Sequence, residues 1–231
     1  MLTLSLKNVI YKYDKDSSPI LKGINMEFKQ GKIYTIIGTS GAGKTTLLSL
    51  ISGLDVVTKG KIELNKENLT EIDRDKYRAN RIGVVFQNYN LLTNATALEN
   101  IILSMNISGS KIKGKKAYAY DLLSELEIDQ TSANRKILNL SGGQQQRIGI
   151  ARAIAHDPDI IIADEPTGNL DSRTEGIILE LLTSLAHDKG KCVIIVTHSK
   201  KVTEIADEIL LMRNGKITRG ENDEQKNNDN F

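Results

Sequence analysis

Gly38-Thr39-Ser40-Gly41-Ala42-Gly43-Lys44-Thr45-Thr46 follows the apolar stretch Lys32–Ile37 and opens a segment in which Leu47, Leu48, Leu50 and Ile51 recur at helical spacing before Gly53 stops it. Strand, glycine-rich loop and helix in that order are the context that G-x-x-x-x-G-K-[ST] requires to hold phosphate. Glycines let successive backbone N–H groups turn inward without a Cβ clash. Together with the helix N-terminus these donors make an anion cradle. Lys44 adds a point charge, worth roughly 5 kcal/mol against one phosphate oxygen at ~3 Å and an effective dielectric near 20, before desolvation. Thr45 offers a hydroxyl to a magnesium ion bridging β- and γ-phosphates. The nine residues are therefore candidate nucleotide ligands.

Reading outward, Leu2, Leu4 and Leu6 alternate with polar residues, the period of a half-buried strand. Residues 14–19 are polar turn material, 24–28 read as a strand, and 61–64 and 82–86 as short strands. Between about 88 and 139 the texture changes to two helical stretches, 95–105 and 117–126, joined by a polar loop. A further helix runs from Ser141 towards His156, where Asp157-Pro158 ends it. Residues 160–163 and 193–197 are continuous apolar runs of the kind found in buried parallel strands. An amphipathic helix spans 174–186, and 208–212 with 216–218 suggests a closing hairpin. Strands alternating with helices make the class α/β with a mainly parallel sheet. Residues 220–231 are almost all polar and are expected to form a disordered tail.

Two further segments carry chemistry. Ile160-Ile161-Ile162-Ala163-Asp164-Glu165 is an apolar strand ending in acid. In a nucleotide-binding chain this brings Asp164 to magnesium at the carboxyl end of the sheet, and leaves Glu165 as a candidate base for water attack on the γ-phosphate. Leu140-Ser141-Gly142-Gly143-Gln144 precedes a helix. Ser141 can N-cap it, and the two glycines permit close backbone approach, a second anion site about a hundred residues after the first.

With these three segments in order, the chain resembles the ATP-binding cassette (ABC) ATPases from about Leu4 to Gly220. Residues 38–46 match the family's Walker A loop, 140–144 its signature, and 160–165 Walker B with the adjoining glutamate. Gln87 falls where the family's Q-loop glutamine lies, Gly168-Asn169-Leu170-Asp171 looks like the D-loop, and His198 like the switch histidine. Tyr13 matches the aromatic that stacks on adenine, with Tyr11 the second choice. The resemblance implies a P-loop NTPase core with an N-terminal antiparallel β part and an inserted helical sub-domain at about 88–157 of an ATP-binding domain at 1–219. It implies magnesium held by Thr45, Gln87 and, through water, Asp164. Glu165, His198 and Gln87 become the catalytic set, and Ser141, Gly142, Gly143, Gln144 and Asp171 join the nucleotide-binding set. It further implies two cassettes, either two copies or a paralogous pair, stacked head to tail around ATP, and a separate integral-membrane permease holding them at the inner face of the cell membrane. Residues 87–92 are expected to help form the permease-docking groove, although Leu91 and Leu92 fit a core equally well.

Within the family, 96–100, 144–147 and 163–171 look closest to the group serving lipoprotein release, macrolide export and antimicrobial-peptide resistance. Regulatory cell-division cassettes share much of this, and a soluble non-transport cassette is the third alternative. The chain of 231 residues carries 31 Lys+Arg against 29 Asp+Glu, a net charge of +2, too weak a bias for bulk capture of nucleic acid. Its one cysteine, Cys192, excludes an intrachain disulfide framework. Asn65-Lys66-Glu67-Asn68 lacks the aspartate a GTPase uses for guanine, and Gly41-Ala42-Gly43-Lys44-Thr45-Thr46 fails the last glycine of the dinucleotide motif. His156 and His187 are read as surface residues.

Overall fold

A computed structural model describes residues 2–14, 16–168 and 170–220. Asn169 of the 168–171 segment and the expected tail from 221 onward lie outside the described residues.

Alternation builds the first sheet. β1 (Thr3–Tyr11) points Leu4, Leu6 and Val9 inward, and β2 (Leu21–Lys29) answers with Ile24, Met26 and Phe28. β3 (Lys32–Ile37) follows and leaves for the second sheet. With β4 (Lys59–Leu64) and β5 (Glu67–Asn68) the first two strands form an antiparallel sheet in the order β2-β1-β4-β5.

The second sheet has six strands: β3, β6 (Ile82–Val85), β7 (Ile160–Asp164), β8 (Cys192–Val196), β9 (Glu208–Arg213) and β10 (Lys216–Arg219), in the order β10-β9-β3-β8-β7-β6. Its pairings are parallel except for the terminal β9–β10 hairpin. The apolar runs of β7 and β8 follow from burial on both faces. Ile161, Ala163, Val193 and Ile195 enter one core, while Ile160, Ile162, Ile194 and Val196 enter the other, shared with the antiparallel sheet and α1 (Lys44–Ile51).

Between β6 and β7 stand α3 (Ala97–Ile107), α4 (Lys115–Glu125), the single turn α5 (Gln130–Ala133) and α6 (Gly142–Ile154). The expected start of the first of these at 95 moves to 97 because Thr96 N-caps it in a reciprocal capping box with Glu99. The next starts two residues earlier than expected, after Gly114 in left-handed backbone. α2 (Arg74–Asn80), capped by Asp73, has no counterpart in the sequence reading. α7 (Ser172–His187) and α8 (Lys200–Glu204) complete the chain order.

Candidate functional site

The loop 38–43 turns between β3 and α1 on two left-handed glycines, Gly41 at φ 76° and Gly43 at φ 102°. Gly38 is required for a different reason: a Cβ there would lie 2.1 Å from the carbonyl oxygen of Met212 in the neighbouring strand. Lys44 arches back over the loop, its Nζ donating to the carbonyls of Gly38 at 2.6 Å and Thr39 at 3.1 Å. Its ammonium is thus held above the backbone amides. Thr39, Ser40 and Gly41 are exposed at the mouth, while Ala42 is buried. Tyr13, 63% exposed, stands beside this loop. Its hydroxyl and that of Thr46 share a hydrogen bond of 3.0 Å, and its ring meets Tyr11 edge-on at 5.2 Å. Tyr11 is buried and has no free ring face to offer.

β7 carries the acids to the same edge. Thr45 Oγ1 donates to Asp164 Oδ2 at 3.2 Å, so two of the three residues expected to hold magnesium meet across the intervening strand β8. Burial raises the Asp164 carboxyl above the usual range, as does the neighbouring Glu165; the Thr45 bond and Lys44 oppose the shift. Glu165 sits at φ 50°, left-handed backbone that a non-glycine adopts at some cost. The surroundings impose it. Glu165 N donates to Val196 O at 2.9 Å, and the Gln146 amide of α6 donates to the Glu165 carbonyl at 3.1 Å and to that of Pro166. The carboxylate accepts from Thr197 Oγ1 at 3.1 Å and from His198 N at 3.4 Å, and His198 Nε2 lies 3.7 Å from its other oxygen.

The structure brings Thr45, Asp164, Glu165, His198, Lys44 and Tyr13 to one edge of the sheet. Gln87 is exposed two residues past β6 and makes no side-chain hydrogen bond to Thr45 or Asp164. Ser141 N-caps α6 in a capping box, accepting from Gln144 N at 3.3 Å while Gln144 Oε1 accepts from Ser141 N at 3.0 Å. The Gln144 side chain is thereby spent on the helix start, and Ser141 and Gly142 face solvent. Among the described residues no hydrogen bond joins 141–144 to 38–46. Asp171 caps α7 through Arg173 N and Thr174 N, and its other oxygen accepts from Thr174 Oγ1 at 2.8 Å. Those bonds hold its carboxyl below the usual range.

One expectation needs correction. His156 is not a surface residue: it is half-buried, with Nε2 3.1 Å from the Ile82 carbonyl and Nδ1 3.4 Å from Ser104 Oγ, and burial lowers its pKa. It lines a groove of about 530 Å³ with Leu54, Phe86, Leu92, Leu103 and Ile107. Residues 91 and 92 divide between the two readings, Leu91 packing on the core and Leu92 being 51% exposed in the groove. Gln146 and Thr197 were not singled out by sequence. One reads as an inward position of an amphipathic helix, the other as the end of an apolar strand.

A sequence model described as ABC transporter matches residues 21–168. An ABC transporter ATP-binding protein of Bacillus subtilis, YclH, is 45% identical over 222 residues, covering 96% of this chain and 98% of the relative. The ATP-binding protein LolD of a lipoprotein-releasing system in Legionella pneumophila is 37% identical over 201 residues, 86% of this chain and 88% of the relative. The dimeric structure of MJ0796, a cassette of Methanocaldococcus jannaschii, superposes with a TM-score of 0.87 at 38% identity, covering 94% of this chain and 97% of that one. A dimeric post-hydrolysis structure of that cassette, bound to ADP and phosphate, gives a TM-score of 0.88.

Proposed function

The chain belongs to the ABC transporter family as an ATP-binding, ATP-hydrolysing cassette, and from that premise we propose that it powers export or membrane extraction through a separate permease. Among the described residues no helix is long and apolar enough to cross a membrane. The likeness to LolD favours extraction or export over import. The domain is assigned to 1–219, with the helices of 88–157 as its helical sub-domain. The groove rimmed by Leu54, Leu92, Leu103 and Ile107 is the docking site for a cytoplasmic helix of the permease, which would hold the cassette at the inner face of the membrane.

ATP lies along the loop 38–46, its phosphates on the backbone amides and Lys44, its adenine against the ring of Tyr13. Thr45 and Asp164 fit magnesium, a hard ion that takes oxygen ligands, keeps several waters and shares its sphere with substrate phosphates. Two protein oxygens already 3.2 Å apart suit that demand, with Gln87 as a further oxygen donor once the loop after β6 closes. The ion's contribution is to neutralise charge on the phosphate oxygens. Glu165 orients the attacking water and accepts its proton, and His198 with Lys44 stabilises the negative charge that develops. The exposed N-terminus of α6, with Ser141, Gly142 and Gly143, supplies donors to nucleotide bound by a second copy. One loop has too few donors for a triphosphate, and Asp171 holds the start of α7 at that junction. Nucleotide then favours the paired state because only that state completes its shell.

The observation that carries this reading is the Glu165 carboxylate fixed by Thr197 and His198 beside the Thr45–Asp164 pair. In the Glu165→Gln variant ATP binding is retained, turnover falls by about 10²–10⁴-fold, and the protein elutes as a dimer with ATP. Near-normal turnover, or a monomer at saturating ATP, removes the reading. For the docking groove, Leu92→Glu with Leu103→Glu abolishes co-purification with the permease while leaving ATP binding intact.

A further inference from the structure

Glu175, in the first turn of α7, makes no hydrogen bond to the loop 38–46 or to Asp164 and Glu165, yet its side chain is only 14% exposed and gathers two segments, the one after β7 and the one after β8. Oε1 accepts from Ser199 Oγ at 3.0 Å, Oε2 accepts from Lys201 Nζ at 2.7 Å, and Thr167 adds another hydrogen bond. Thr167 follows Glu165 in the β7 loop, and Ser199 and Lys201 follow His198. The connection continues inward. Ser199 N donates to Thr197 Oγ1 at 3.0 Å, and that hydroxyl donates to Glu165 at 3.1 Å.

Ser199 stands at the N-cap of α8 but makes no side-chain cap there, because its hydroxyl is turned to Glu175 instead. A serine at that position normally satisfies its own helix. Forgoing the cap for a carboxylate on another element indicates that the loop's position, not the stability of a five-residue helix, is what the contact sets. Lys201 is half-exposed, and an ion pair that open contributes little by itself.

We infer that Glu175 is a positioning residue for ATP hydrolysis: it clamps residues 197–199 to the start of α7, so that Thr197 and His198 hold the Glu165 carboxylate in place. The inference rests on the role given to Glu165 above. It also makes α7, which begins just after the 168–171 loop, the support on which the switch segment sits.

The test measures kcat and KM for ATP in Glu175→Ala, Glu175→Gln and Ser199→Ala, each checked for a cooperative melt, with Glu165→Gln in parallel. Displacement of a catalytic group by about 1 Å costs on the order of 10²-fold, and a loosened clamp less. Glu175→Ala is therefore expected to lower kcat about tenfold and leave KM within about twofold, the pattern of an interaction expressed in the transition state. Ser199→Ala, which removes one hydroxyl and no charge, lowers kcat about threefold. Glu175→Gln keeps an acceptor for Ser199 and recovers most of the alanine loss. Unchanged kcat in folded Glu175→Ala and Ser199→Ala, or a raised KM at constant kcat, overturns the clamp. Should Glu165→Gln itself turn over normally, the role of Glu165 falls and the clamp with it; inactive Glu165→Gln beside fully active Glu175→Ala refutes the clamp alone.

Discussion

Replacing Gly38 by alanine asks whether the phosphate loop is held by sterics rather than by conformational freedom. Gly38 does not have positive φ, so an alanine there carries no backbone penalty of the left-handed kind. The obstacle is the Met212 carbonyl oxygen, 2.1 Å from the added Cβ, about 1.3 Å short of the 3.4 Å at which ordinary contact begins. Met212 is fully buried on β9, between β3 and β10, and cannot yield cheaply. The loop must therefore move by about an ångström and take with it the Gly38 carbonyl that anchors Lys44. Overpacking of this size costs about 1–3 kcal/mol of stability, and a shift of about 1 Å in a ligand-positioning group costs on the order of 10²-fold in its function. Isothermal titration with ATP and magnesium, alongside a thermal melt, checks both. Gly41→Ala is the comparison: nothing lies within 4 Å of its Cβ, so only the strain of φ 76° acts, about 1–2 kcal/mol. If Gly38→Ala binds ATP within twofold of the parent and melts at the same temperature, the steric argument is wrong.

Three other outcomes follow from the same contacts. Gly176→Ala, in the interior of α7 with open space around its Cβ, stabilises by about 1 kcal/mol and raises the melting temperature by about 2–4 °C. Gln146→Leu leaves the carbonyls of Glu165 and Pro166 without their donor, at about 1–3 kcal/mol. Part of this is offset because the Gln146 Oε1 has no partner to lose, so a lower melting temperature accompanied by a larger fall in turnover is expected; equal turnover would contradict it. The pKa of His156 is lowered in the fold, chiefly by burial. As pH drops below about 6.5 the unfolded chain takes up this proton before the folded one, and stability falls. A melting series from pH 7.5 to 5.5 should therefore slope less steeply in His156→Asn than in the parent.

Legibility followed burial. β8, and β7 as far as Ala163, are readable because both faces are covered, which makes the residues there apolar. α7 shows a clear inward stripe of Ile178, Leu179, Leu182 and Leu185. By contrast α2 buries only Tyr77, and α8 only Val202, so neither leaves a period to read. The candidate site divides in the same way. Residues whose chemistry resides in a local motif, such as 38–46 and 164–165, are visible as a string. Residues that act through long-range contacts are not: Gln146 reaches Glu165 across 19 positions and Ser199 reaches Glu175 across 24. His156 was misread because its partners, Ile82 and Ser104, lie 74 and 52 positions away.

Glu165 shows how these distant contacts combine. Left-handed backbone at a glutamate costs on the order of 1–3 kcal/mol and persists only where its surroundings over-determine it. Here β8 receives its amide, α6 donates to its carbonyl, and the segment after β8 donates twice to its carboxylate. β8, the segment after it and α6 thus converge on one residue, and the carboxylate cannot rotate away without breaking its bonds from Thr197 and His198. The Gln146 side chain also ties α6, whose N-terminus carries Ser141 and the two glycines, to the acid edge of the sheet. A displacement of α6 relative to β7 therefore bears on the backbone of Glu165 as well as on the apolar packing of Ile148, Ile150 and Ala151 against the sheet.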